Sequence, residues 1–90
     1  MSNTFLITYD LNSSGRDYST LYEAIKGLGS WHHPLESTWA VKPSLYSNSQ
    51  DIYNVLRPII DDTDDIFIVD ITGQDRQGWM PKTFWEWLKE

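Results

Sequence analysis

Phe5-Leu6-Ile7-Thr8-Tyr9-Asp10-Leu11 is the stretch that decides how the chain is read. Six of its seven residues are aliphatic, β-branched or aromatic, and one carboxylate stands near its end. A run this apolar and this short fits a strand buried on both faces better than a helix. Burying an unpaired carboxylate is costly, so Asp10 belongs where the strand leaves the sheet, at its rim. A second run of the same kind, Ile66-Phe67-Ile68-Val69-Asp70-Ile71, lies near the other end of the chain.

Between the two runs the periodicity changes. Tyr18, Leu21, Tyr22, Ile25 and Leu28 fall on one face at helical spacing, with Asp17 placed as an N-cap and Gly29 as a left-handed C-terminal cap. Trp31 to Leu35 and Ser37 to Val41 read as two strands joined by a bend or bulge near Pro34 to Glu36. Pro34 lacks a ladder donor and confines the first of them to an edge or a turn. Ile52, Val55, Leu56, Ile59 and Ile60 predict a second helix. Ser47 and Gln50 stand at capping-box spacing before it, and Pro58 kinks or tightens its end. Trp79 to Leu88 predicts a short terminal helix with Phe84 and Leu88 on one side. Thr83 and Glu86 repeat the capping-box spacing there.

This order predicts an α+β, ferredoxin-like βαββαβ fold: an antiparallel four-stranded sheet, two helices on one face, and a short C-terminal Trp-rich helix. One domain spans 1–90, with a core over about 4–72 and an extension over 73–90. The two apolar strands lie side by side. Two crossover helices leave the other face of the sheet open, so a second subunit or the aromatic tail must cover it. The same arrangement gathers Asp10, Glu36, Ser37 and part of the Asp61–Asp65 run at one rim. An oxygen-rich rim suits Mg²⁺, which takes one or two carboxylates and keeps its waters. The plainer reading is that Asp10 caps the loop Asn12–Gly15 through backbone hydrogen bonds.

Thirteen acids against seven bases give a net charge of −6. Such a surface repels phosphate backbones unless its bases cluster, and these are spread from Arg16 to Lys89. Cysteine is absent, which fits a cytoplasmic protein without disulfides. Met1 to Thr4 lack the basic region of a signal peptide, and no apolar run is long enough for a transmembrane helix. His32 and His33 are neighbours on a strand and point to opposite faces, so packing explains them better than shared ligation of one ion. Asp61 to Asp65 lack the alternating ligands of a calcium loop and read as a solvated turn that can lend a water-mediated carboxylate to the Asp10 rim. Trp79, Trp85 and Trp87 suit either a base-stacking platform or a partner anchor. The mixed charges beside them favour packing on the chain's own domain or at a dimer interface.

The apolar strand ending Tyr9-Asp10-Leu11 leads into a polar loop carrying Arg16. The helix ending Leu28-Gly29, the Glu36-Ser37-Thr38-Trp39 strand and the Ile66–Ile71 strand follow. In this order the chain resembles the small CRISPR-associated endonuclease subunit of the spacer-acquisition complex and the VapD-type ribonucleases. The resemblance covers roughly Thr4 to Thr72 and rests on element order plus one short motif. It implies a homodimer in which Asp10 from each copy holds Mg²⁺ or Mn²⁺ and metal-activated water cuts an RNA or DNA phosphodiester. Arg16 and Ser37 would then be phosphate or second-shell contacts. Two functions follow as expectations: a metal-dependent, ribonuclease-like endonuclease acting through Asp10, or a non-catalytic acidic interaction or regulatory protein that binds a protein partner.

Overall fold

The structure, a computed structural model, describes residues 3–12 and 18–90. Its elements are β1 (Phe5–Asp10), α1 (Ser19–Lys26), β2 (Gly29–Leu35), β3 (Thr38–Pro43), α2 (Ser49–Leu56), β4 (Asp65–Asp70) and α3 (Lys82–Lys89). A single 3-10 turn, Arg57–Ile59, tightens the end of α2 where Pro58 withholds its amide. The strands form one sheet in the order β2-β3-β1-β4, and every neighbouring pair is antiparallel. The fold is therefore α+β, a four-stranded antiparallel sheet with three helices. The first and last strands do lie side by side, from Phe5 opposite Asp70 to Asp10 opposite Asp65.

Alternation along the strands sorts the side chains. Phe5, Ile7 and Tyr9 of β1 and Trp39 and Val41 of β3 point to the inner face, where Leu21 and Ile25 of α1 and Ile52 and Leu56 of α2 close the main core. On the outer face Ala40 and Leu6 pack with Phe84, Trp87 and Leu88 of α3. Of the two covers expected for that face, the aromatic tail supplies one within the same chain. It reaches only part way, so β1 is sealed on its inner side and half-buried on its outer side.

Several local expectations are corrected. Gly29 does not cap α1: Gly27 ends that helix in right-handed geometry, and Gly29 opens β2. A glycine is needed at 29 because a Cβ there would sit closer than 3 Å to the Lys42 carbonyl oxygen. The cap of α2 is Asn48, whose side chain accepts from the Asp51 amide at 2.9 Å, and not Ser47. Pro81 precedes α3 with no side-chain cap, so Thr83 and Glu86 form no box. Asp17 and Arg16 lie outside the described residues. Pro34 falls on an edge strand beside a register shift between His32 and Leu35, as its missing donor requires.

Candidate functional site

Register divides the outer face into rows. His32, Ala40, Leu6 and Val69 form the first, one residue from each strand. It lies beneath α3, where the His32 ring meets Trp87 at 4.9 Å and Phe84 at 5.8 Å between centroids. Leu35, Thr38, Thr8 and Phe67 form the next row. Here the Thr38 hydroxyl donates to the Thr8 hydroxyl at 3.2 Å. Leu35 and Phe67, at the two ends of this row, are 57 % and 64 % exposed. One step further, Asp10 and Asp65 face each other at the rim, both exposed. Two exposed apolar side chains thus flank a threonine pair, and the next step of the ladder carries a pair of carboxylates.

A shallow hollow of about 390 Å³ at this rim is lined by Asp10, Asp65, Ser37, Thr8, Tyr9 and Phe67, among others. Ser37 is brought there by its carbonyl, which accepts from the Tyr9 amide at 3.1 Å. Of the expected gathering, Asp10, Ser37 and Asp65 share this hollow, and Glu36 is not on its lining. On the other flank Leu35 borders an apolar cleft of about 340 Å³ under the tail, with Leu6, Ile71, Met80, Phe84 and Trp85 on its walls.

Asp64 has a different environment from its neighbours in the acidic run. It is 8 % exposed; one carboxylate oxygen accepts from the Asn12 amide at 2.8 Å and the other from the Asp61 amide at 2.9 Å. It ties the segment after β1 to the segment before β4 and so holds the rim in register. The sequence reading treated the whole run as a solvated turn. Only the antiparallel pairing of the two apolar strands, carried one residue past Asp65, could have singled Asp64 out. Asp62 fits the solvated reading and pairs with Arg57.

The histidines split as strand alternation requires. His33 stacks on Trp39 on the inner face at 4.0 Å between centroids, and its Nε2 lies 2.9 Å from the Glu36 carbonyl oxygen. Among the described residues no three His, Cys, Asp or Glu side chains converge as a metal-holding group. The rim itself offers two carboxylates, a donor set that fits an Mg²⁺ or Mn²⁺ ion retaining most of its water.

Three of the bases are less scattered than they look in sequence. Lys42, Arg76 and Lys89 line one cleft of about 690 Å³ with Glu90. Lys42 donates to the Trp87 and Glu90 carbonyls and lies 4.6 Å from the Trp87 ring centroid, which neutralises the C-terminal end of α3. Arg76 donates to the Ile71 carbonyl at 3.3 Å. This cluster sits by Thr4, at the end of the sheet opposite Asp10.

Trp87 is buried and donates through Nε1 to the Ser30 hydroxyl at 2.7 Å, whereas Trp79 is 99 % exposed. Of the three tail tryptophans, only Trp79 stands free of the domain. Among the described residues no helix is long and apolar enough to cross a membrane. No family model, curated protein or solved structure matches the chain.

Proposed function

We propose that this chain is a non-catalytic binding protein whose acid-edged outer face takes up a basic protein partner. The observation that carries the reading is the row Leu35–Thr38–Thr8–Phe67: apolar at both ends, not covered by α3, and bordered by Asp10 and Asp65. Exposed apolar groups beside a charged margin offer a partner both surface to desolvate and charge to pair. The net charge of −6 steers such a face toward cationic surfaces. The tag-immobilised chain and its Leu35→Glu, Phe67→Glu variant should be compared on a soluble extract of the source cell at low and high salt. The native chain should retain a basic protein that the variant loses and that elutes at about 0.5 M salt. Equal retention by both would overturn the reading.

The strand order with α1 and α2 on the inner face supports a ferredoxin-like description of the core, which we adopt as part of the proposal. A second reading, a divalent-metal-dependent nuclease working as a homodimer, is favoured by one observation: Asp10 and Asp65 are direct partners across β1 and β4. The two carboxylates would hold Mg²⁺ or Mn²⁺, with Ser37 beside them; the ion when bound would supply an activated water. Labelled RNA and DNA incubated with the protein and its Asp10→Ala variant in Mg²⁺, Mn²⁺ or EDTA test it. Cleavage by the native chain alone, stopped by EDTA, establishes the nuclease; no cleavage by either removes it.

A further inference from the structure

The two edges of the sheet are built differently. β2 carries Pro34 and a register shift, devices that discourage another strand from adding. β4 carries neither and matches β1 residue for residue. Ile71 donates its amide to the Thr4 carbonyl at 2.8 Å. Amide direction alternates along an antiparallel ladder, so Val69, Phe67 and Asp65 also bond toward β1. The N–H and C=O groups of Ile66, Ile68 and Asp70 consequently point outward, with no strand beside them among the described residues. Along this edge runs a groove of about 300 Å³, walled by Ser49, Gln50 and Tyr53 of α2 and by Ile66, Phe67 and Ile68.

Charge selects the occupant. If a second copy paired antiparallel, outward-facing residues would have to meet outward-facing residues, and the longest ladders this permits centre on Ile68 or on Phe67. Either register sets Asp70 of one copy within one position of Asp65 of the other, at both ends. A parallel pairing sets each aspartate within one position of its own counterpart. Acids gathered in this way at both ends repel, and a strand ending in lysine or arginine reverses the sign. We propose that the β4 edge receives an extended segment of a partner protein, apolar at alternate residues and basic at both ends, by strand addition. The backbone of the segment bonds to Ile66, Ile68 and Asp70, alternate side chains enter the groove beside Tyr53, and the others lie beside Phe67. This rests on the reading of the chain as a protein-binding module and supplies its mode.

The test uses a fluorescent peptide of alternating valine and threonine with two lysines at each end. One twin carries glutamates in place of the lysines, and another is N-methylated throughout its centre. The lysine peptide should slow hydrogen exchange at the Ile66 and Ile68 amides at least tenfold. Both twins should bind at least tenfold more weakly. Equal binding of the methylated twin, protection confined to other residues, or no binding at all would overturn strand addition. Retention of a basic protein in the extract experiment would then show that the binding function stands without this mode.

Discussion

Among single residues, Tyr9 and Asp64 carry the sharpest expectations. The Tyr9 hydroxyl accepts from the Trp39 indole at 3.1 Å in the core. Burial first, and then the neighbouring Tyr22 hydroxyl, push its phenol well above the usual tyrosine value. The unfolded chain releases this proton from about pH 10 while the folded chain keeps it. Above that pH the native state binds more protons than the unfolded one, so stability falls as pH rises. Urea midpoints measured from pH 9 to 11 should decline in the native chain. The decline should be shallower in Tyr9→Phe. For Asp64→Asn, one of two backbone amides faces an NH₂ group in place of an acceptor, and about 1–3 kcal/mol of stability should be lost. Asp10→Asn, at an exposed position, should stay within about 0.5 kcal/mol of the parent in the same urea experiment.

At the scale of the elements, α3 is the piece that changes what the sheet offers. Trp87 is 7 % exposed, touches His32 and Phe84, and bonds to Ser30 on the edge strand. Trp87→Ala should cost about 3–5 kcal/mol by chemical denaturation, the range for a large aromatic removed from a core. A loss under 1 kcal/mol would mean that α3 is not firmly seated on the sheet. The existence of all seven elements was legible, because period 2 and period 3.6 separate cleanly around Thr8 and Ile52 and because Pro34 and Pro58 punctuate the chain. Their caps were less so. Ser47, Asn48 and Ser49 all have capping chemistry, and only the backbone geometry selects Asn48. Gly29 shows the same limit from another side, since its requirement comes from the neighbouring strand β3 rather than from its own helix.

For the whole molecule, adjacency of the two apolar strands and the meeting of Asp10, Ser37 and Asp65 could be argued from order and antiparallel pairing alone. How much of the outer face the tail covers could not, because hydrophobic spacing in Trp79–Leu88 gives the helix a face but no destination. The clustering of Lys42, Arg76 and Lys89 was hidden for the same reason. Spacing in sequence says little about three bases placed by a strand, a loop and a helix. The charge balance thus missed the gathering of three bases beside Glu90 at the end of the sheet opposite the Asp10–Asp65 rim.

The placing of β1 between β3 and β4 also bears on how the chain is made. Val69, the partner of Leu6, leaves the ribosome several seconds after it at about 5–20 residues per second. Throughout that interval the most apolar strand of the nascent chain keeps one flank open. A polypeptide stopped at residue 64 should scatter light and pellet where the full chain stays in solution.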